Sequence, residues 1–162
     1  MPKGLSLRIS QGALVLSDGP GFDVSGQMLA PGTADAPVYL TGTAASQPGA
    51  WRGIVAQPGS TVKLSFVHIE GGSIQELAST AGAVTHVQLL SSNFKDTSVN
   101  ASASPITVQQ STFTRSPVFI NGGSRPVVTN NSFVNTDNAL QVLNVDDVSG
   151  FKGNGATGTA AQ

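Results

Sequence analysis

A spaced apolar pattern recurs along the chain and predicts short repeated elements. Two apolar residues separated by one residue are followed, five positions later, by another large apolar residue. With that last residue as the reference, the pattern repeats at positions 69, 94, 113 and 133, which are 25, 19 and 20 residues apart. Self-similarity at about 20 residues is typical of a solenoid. The four copies are Val62/Leu64/Ile69, Val87/Leu89/Phe94, Ile106/Val108/Phe113 and Pro126/Val128/Phe133.

The spacing inside each copy is that of a strand with one buried face. Gly, Asn, Ser and Pro interrupt every strand, and the i, i+3, i+4 spacing of an amphipathic helix is absent from the sequence. Leu is too scarce for leucine-rich repeats. The pattern therefore predicts an all-β coil of parallel strands, in which each turn packs on the next about 4.8 Å away. We expect two buried columns, one of Ile69, Phe94, Phe113 and Phe133, and one of Leu64, Leu89, Val108 and Val128.

Other segments fit the pattern less regularly. Leu7/Ile9/Leu14 and Phe22/Val24/Leu29 show the same offsets at shorter spacing, and Leu143, Val145 and Phe151 fit after one extra residue near Asp146 and Asp147. The segments 43–50 and 72–80 are predicted to be loops that project from the coil, with one helical turn at most at residues 74–77. Residues 153–162 lack an apolar anchor and are expected to form a flexible tail or linker after a β-helix domain at 1–152.

The chain resembles a known group of proteins in several short stretches. "ISQGALVLSDG", "PVYLTGT", "GAWRGIV", "VHIEGG" and the repeated "STF" and "NSF" lines are similar to right-handed parallel β-helix domains of bacterial secreted and surface proteins. The similarity covers residues 5–152 and implies a single right-handed parallel β-helix, or β-solenoid, of about six to seven turns. The same fold group includes pectate lyases, adhesins and phage tailspikes, so the fold leaves the function open.

Composition narrows the range of partners. Only 10% of residues are charged and the formal net charge is −1, which argues against a nucleic-acid partner, since phosphate binding needs a basic surface. No apolar run is long enough for a membrane span, and the absence of Cys excludes disulfides and thiolate metal sites. The resemblance implies an extracellular or cell-surface location, and the printed chain shows no signal peptide. A solenoid must protect the open backbone edges of its terminal turns. Pro2, Lys3 and Arg8 at the start, and Lys152 with the extra residue near Asp146 and Asp147 at the finish, are candidate caps, so we expect a monomer or part of a larger chain.

Trp51 and Arg52 are the first candidates for ligand binding. Trp51 is the only Trp, and an exposed indole suits the C–H face of a sugar while an adjacent Arg hydrogen-bonds its hydroxyls. The structural alternative is that Trp51 closes a corner of the coil.

His68 and Glu70 are the second pair of candidates. They flank the inward Ile69, so both point outward on one strand face, where a His beside a carboxylate is suited to act as a general base or as half of a metal site. The alternative is a polar outer ladder, in which Glu70 aligns with Lys95, Thr114, Val134 and Lys152, and His68 with Asn93, Thr112 and Ser132.

The remaining carboxylates are dispersed along the chain, and no catalytic pair is identified. A glycosidase needs two carboxyls about 5–9.5 Å apart across the scissile bond. The sequence therefore favours a non-catalytic module, structural or adhesive, that binds a glycan or a surface protein and needs no metal or cofactor. The alternative is a polysaccharide lyase or glycoside hydrolase that acts in a shallow groove of the β-helix.

Overall fold

The computed structural model describes residues 2–44, 47–78, 82–102, 104–122 and 125–158. Within these ranges every regular element is a β-strand. The strands form three parallel sheets, wound as a right-handed β-solenoid of about six turns. The predicted all-β, parallel β-helix fold is confirmed. No helix in the described ranges is long and apolar enough to cross a membrane.

Each complete turn of the coil contributes one strand to each sheet, and the last turn contributes β19 and β20 to the first two sheets only. The first sheet contains β1 (Ser6–Arg8), β4 (Gln27–Pro31), β7 (Thr61–Ser65), β10 (His86–Leu90), β13 (Ile106–Gln109), β16 (Val127–Thr129) and β19 (Phe151–Lys152). The second contains β2 (Leu14–Ser17), β5 (Val38–Gly42), β8 (Val67–Glu70), β11 (Asn93–Lys95), β14 (Thr112–Thr114), β17 (Ser132–Val134) and β20 (Gly155–Thr157). The third contains β3 (Phe22–Val24), β6 (Ile54–Ala56), β9 (Ser73–Glu76), β12 (Ser98–Ser102), β15 (Val118–Asn121) and β18 (Leu140–Leu143).

Both predicted core columns are present. Ile69 aligns with Phe94, Phe94 with Phe113, and Phe113 with Phe133, and all four side chains are buried. The ring centroids of Phe94 and Phe113 lie 4.7 Å apart, and those of Phe113 and Phe133 lie 5.0 Å apart, in stacked geometry. The first sheet supplies the second column, of Leu64, Leu89, Val108 and Val128. Apolar stacking between successive turns therefore stabilises the coil together with the backbone hydrogen bonds of the three sheets.

Two internal ladders of polar side chains flank the Phe column. The residue two before each Phe is Ser92, Ser111 or Asn131, and all three side chains are buried where the first sheet turns into the second. The backbone N–H of Ser92 donates to the Ser111 hydroxyl (3.2 Å), and that of Ser111 donates to Asn131 Oδ1 (2.9 Å). These side chains satisfy backbone groups that the turn would otherwise bury without a partner.

The second ladder lies where the second sheet turns into the third, a place we call the second corner. The residue three after each Phe is Thr97, Ser116 or Thr136, all buried. The N–H of Thr97 donates to the Ser116 hydroxyl (3.0 Å), and that of Ser116 donates to the Thr136 hydroxyl (3.3 Å). The repeated lines "SNFKDT", "STFTRS" and "NSFVNT" therefore encode one buried Phe between two buried hydrogen-bonding positions.

Two predicted features of the connections need correction. The segment 72–80 is not a projecting loop in its described part, because Ser73–Glu76 is a strand of the third sheet with Ile74 buried in the core. Phe22 and Val24 likewise belong to the third sheet, where Phe22 aligns with Ile54. The other predicted loop, 43–50, does connect β5 with β6, although residues 45 and 46 lie outside the described part.

The last turn also differs from the predicted alignment. Phe151 aligns with Val128 of the first sheet, and Ala156 occupies the position after Phe133. Lys152 consequently aligns with Thr129. β20 lies beyond the boundary expected after residue 152 and pairs in parallel with β17, whereas residues 159–162 lie outside the described part.

Candidate functional site

The structure brings Trp51 and Arg52 to the second corner, next to the strand that carries His68 and Glu70. Trp51 forms an isolated parallel bridge with Gly19 one turn below, and its N–H donates to the carbonyl of Gly71 in the turn above. The indole Nε1–H donates to the carbonyl of Glu70 at 2.9 Å. The four candidate residues therefore occupy two neighbouring turns of the coil.

The Trp51 ring is part of the core. Trp51 is only 2% exposed, and Phe22 packs edge-to-face against the indole, with the ring centroids 6.3 Å apart. Gly72 lies so close to the ring that a Cβ at this position would be 2.7 Å from indole atoms. This burial favours the structural alternative, in which Trp51 closes the corner, because a ring that stacks on a sugar needs at least one face accessible to the ligand.

Arg52 lies at the solvent-facing rim of the same corner. Its Nη1 is 2.8 Å from Asp23 Oδ2, and both side chains are about half exposed. Its carbonyl accepts a hydrogen bond from the Ser73 hydroxyl at 2.9 Å, which ties the segment to β9 of the next turn. The Arg52 guanidinium is therefore held by Asp23, while about half of the Arg52 side chain remains accessible to solvent.

His68 and Glu70 point outward from β8, as predicted, and the outer ladder is present. His68 aligns with Asn93, and Glu70 aligns with Lys95, whose Nζ lies 2.5 Å from Glu70 Oε1. Thr114 and Val134 follow Lys95, but the next residue is Thr157, so Lys152 was wrongly placed in this ladder.

The imidazole of His68 lies against the ring of Tyr39. The two rings are stacked with centroids 4.8 Å apart and an interplanar angle of 13°. Burial of the imidazole lowers the pKa of His68 below its ordinary value, because a partly desolvated ring holds a positive charge less favourably. His68 is therefore a neutral stacking partner of Tyr39 at neutral pH.

Asp96 and Arg115 complete the corner and were missed in the sequence analysis. Arg115 Nε and Nη2 donate to the two carboxylate oxygens of Asp96 at 2.7 and 2.6 Å, a bidentate pair. The Asp96 side chain is 4% exposed, whereas half of the Arg115 side chain is accessible. The hydrogen bonds and charge of Asp96 raise the pKa of Arg115. The repeat pattern was sufficient to predict this pair. Both residues stand two positions after an aligned Phe, so they occupy equivalent positions in neighbouring turns.

The second corner opens into a shallow cleft of about 440 Å³. Arg52 and Arg115 lie in its lining with Asp96, and Ser73 and Ser98 add hydroxyl groups. This set of guanidinium, carboxylate and hydroxyl groups can exchange hydrogen bonds with the hydroxyls of a sugar or with a peptide backbone. In the described ranges, no three His, Asp or Glu side chains come together in a way that suits a metal ion.

Comparison with known proteins does not assign the chain to a family. No protein-family model, curated protein or solved structure matches it. The resemblance to β-helix proteins therefore holds at the level of the fold, which the three parallel sheets show directly. The basis for a functional proposal is the geometry of the corner and of the sheet faces.

Proposed function

We propose that this chain is a non-catalytic β-helix module, structural or adhesive, that binds a glycan or a protein. One observation carries the proposal: the three carboxylates around the second corner, those of Asp23, Glu70 and Asp96, each lie within 2.8 Å of an Arg or Lys nitrogen. Hydrolysis of a glycosidic bond by a carboxylate pair needs one group that can donate a proton and one that can attack or activate water. Carboxylates that already pair with guanidinium or ammonium groups are better suited to a structural role than to proton transfer or nucleophilic attack.

The cleft offers a fixed set of donors for binding. The Arg115 guanidinium is oriented by its bidentate contact with Asp96 and still has half of its side chain in solvent. Because this guanidinium is held in place before a ligand arrives, little side-chain entropy is lost on binding. A polar ligand with several hydroxyls fits such a rim better than an apolar one.

The same proposal covers the cellular location and the assembly of the module. A bacterial secreted or cell-surface location, and action as a monomer or as one part of a longer chain, follow from the resemblance to β-helix domains. The low content of charged residues and the absence of Cys are compatible with that setting.

The test combines a glycan array with a degradation screen on the same polysaccharides, with and without Ca²⁺. We expect retention of at least one glycan without release of new reducing or unsaturated ends. Arg52→Ala should weaken retention, while Arg125→Ala, an exposed Arg away from the corner, should not. Release of products that is abolished by Asp96→Asn or Glu70→Gln would instead establish the lyase or hydrolase alternative.

A further inference from the structure

The first turn of the coil ends all three sheets at once. β1, β2 and β3 each pair with a strand of the second turn, and the described part of the chain places no strand on their other side. The carbonyls of Ala13 and Ser17 accept hydrogen bonds from the backbone of the second turn at 2.8 and 3.0 Å. Because successive peptide groups of a strand point to opposite edges, the N–H groups of Leu14 and Leu16 point to the free edge of β2. A free edge of this kind is a template for another strand.

The apolar core is also incompletely covered at this turn. Leu7, Val15 and Phe22 lie on the core side of β1, β2 and β3, and each is only partly buried. The residues aligned with them in the second turn are fully buried: Met28, Leu40 and Ile54. The difference arises because the second turn is covered on both sides, whereas the first turn has a neighbour on one side only. We call the surface formed by Leu7, Val15, Phe22 and the free edges of β1, β2 and β3 the open end.

No described segment of the first turn folds across the open end. The carbonyl oxygens of Pro2 and Leu5 lie against Gly26, which belongs to the turn above. The N–H of Gly12 donates to the carbonyl of Ala36 at 3.0 Å, so the connection from β1 to β2 also follows the second turn. The connection from β2 to β3 does the same. The segment that supplied a candidate cap at the start therefore lies level with the first turn, and the apolar end stays uncovered.

A second copy of the same end is the partner that fits the open end best. A single added strand covers one of the three free edges, whereas the end of another coil with the same cross-section covers all three. The charges of residues 2–26 cancel, so two identical ends meet without net repulsion. These charges are two cations and two anions: Lys3, Arg8, Asp18 and Asp23. The apolar surface also extends outward, because Leu5, Leu14 and Leu16 are each more than half exposed.

The last turn is less suited to meet the open end. β19 has only two residues, and β20 consists of Gly155, Ala156 and Thr157, all exposed. Ala156 lies over Phe133, which remains buried, so this end offers little apolar surface to a partner. Head-to-tail stacking would therefore bury less apolar surface than contact between two open ends.

We propose that two copies of this chain associate through their open ends about a two-fold axis. β2 of one copy then runs antiparallel to β2 of the other, and β1 of each copy faces β3 of the other, a strand of equal length. A two-fold contact uses both open ends, so the assembly stops at a dimer and does not grow into a fibre. One turn of a coil is a small interface, and the association is therefore weak. The inference goes beyond the proposed function, because it does not use the second corner and adds a second copy to the single chain that the resemblance implies.

Sedimentation velocity tests the association at loading concentrations from about 5 to about 500 μM, since small interfaces dissociate in the micromolar range. We expect the mass to rise from 16.4 kDa towards twice that value and no further. Leu16→Pro should raise the dissociation constant about tenfold or more, because it removes an N–H at the free edge of β2 while keeping the bonds to β5. Ala156→Pro is the matched control, because its N–H points to the free edge of the last strand of the same sheet. This control should leave the dissociation constant within about twofold of the parent value.

A disulfide cross-link provides a second test that does not depend on the folding of the proline variant. The chain has no Cys, so Leu16→Cys introduces a single thiol on β2, near the two-fold axis. Oxidation should give a covalent dimer at concentrations where the parent chain associates, because the two thiols lie within reach of each other. Thr157→Cys, also at an exposed position but on β20 at the other end, should remain monomeric under the same oxidation.

The outcomes distinguish contact between open ends from other arrangements. Growth of the mass beyond twice 16.4 kDa, or equal weakening by Leu16→Pro and Ala156→Pro, would indicate head-to-tail stacking and overturn the two-fold pair. A constant mass of 16.4 kDa at every concentration, or equal cross-linking of the two Cys variants, would also overturn it. None of these results depends on the glycan array, so failure of the pair leaves the proposed function unchanged.

Discussion

The buried side chain of Glu76 leads to a prediction about stability and pH. Glu76 lies on the inward side of β9, aligned with Ala56, and is 4% exposed. The backbone N–H of Ser102 donates to its Oε2 at 3.1 Å, whereas Oε1 is buried without a hydrogen-bond partner. Burial raises the pKa of Glu76, and hydrogen bonds from Ser104 and Ser102 offset only part of this effect.

The raised pKa of Glu76 determines how the free energy of unfolding changes with pH. Because the folded state holds the Glu76 proton to higher pH than the unfolded chain does, the folded state binds more protons between the two pKa values. The free energy of unfolding therefore decreases as pH rises from the ordinary value of about 4.5 through the raised folded value, and the loss is complete above it.

Replacing the carboxyl with a neutral amide should remove this loss. Glu76→Gln keeps the shape and the carbonyl that accepts from Ser102, but carries no charge at any pH. A buried polar group without a partner costs about 1–3 kcal/mol, and more when it is charged. Because the amide nitrogen of Gln takes the unpartnered position of Oε1, only the additional cost of the charge is removed, and we expect Glu76→Gln to raise the free energy of unfolding by about 1 kcal/mol at pH 8. The difference from the parent chain should shrink towards pH 4, where both side chains are neutral.

Urea denaturation at pH 4, 6 and 8 provides the measurement. Far-ultraviolet circular dichroism follows the sheets, and the fluorescence of Trp51, the only Trp, follows the second corner. Coincidence of the two transitions is checked first, because solenoids can unfold in parts. Glu70→Gln is the control: it removes an accessible ion pair with Lys95 and should lower stability at pH 8 by about 0–1 kcal/mol. A Glu76→Gln variant that is equally or less stable than the parent at pH 8 would refute the reasoning.

Three further predictions concern the core, the outer ladder and the inner ladder. Phe113→Ala should cost about 3–5 kcal/mol in urea denaturation, and Phe119→Ala, on the outward side of β15, should cost far less; equal costs would contradict the stacked column. His68 should titrate below its ordinary pKa in NMR, and Tyr39→Ala should move this pKa upward because the imidazole loses part of its burial. The contribution of His68 to stability is present above its ordinary value of about 6.5 and is lost as pH falls from that value through the lower folded value. Asn131→Ala should cost about 1–3 kcal/mol because the N–H of Ser111 and the carbonyl of Val108 lose their partner, and an unchanged unfolding midpoint would refute the ladder.

The sequence was most informative where the turns have equal length. Between Phe94 and Phe133 the spacings are 19 and 20 residues, so a residue can be aligned with its neighbour one turn away simply by counting. Counting placed Phe94, Phe113 and Phe133 in one column correctly. The pairing of Glu70 with Lys95, which are 25 residues apart, came instead from matching the apolar pattern of the two turns. Either alignment is correct because parallel strands in register bring equivalent positions of successive turns together.

Prediction failed where the connections change length. The long connection from β5 to β6 and the segment before β10 shift the alignment, so the third sheet was not recognised and Ser73–Glu76 was assigned to a loop. The inward Glu76 contributed to that error, since a charged residue in a core position breaks the apolar alternation on which the strand prediction depends. Trp51 was ambiguous for a different reason: an aromatic residue beside Arg is compatible with either a binding platform or a corner, and only the contacts of Gly72 and Phe22 distinguish them.

The polar residues of this coil divide into those that the fold requires and those that it does not. Buried Ser, Thr and Asn at the corners satisfy backbone groups, so their recurrence follows from the architecture and carries no information about a ligand. The fold places no comparable demand on the sign of an exposed charge. Three of the exposed charges in the described part, those of Arg52, Lys95 and Arg115, already pair with carboxylates of neighbouring turns. Because Trp51 is buried in the core, the accessible polar rim of the second corner, and not the indole, is the first place to look for a ligand.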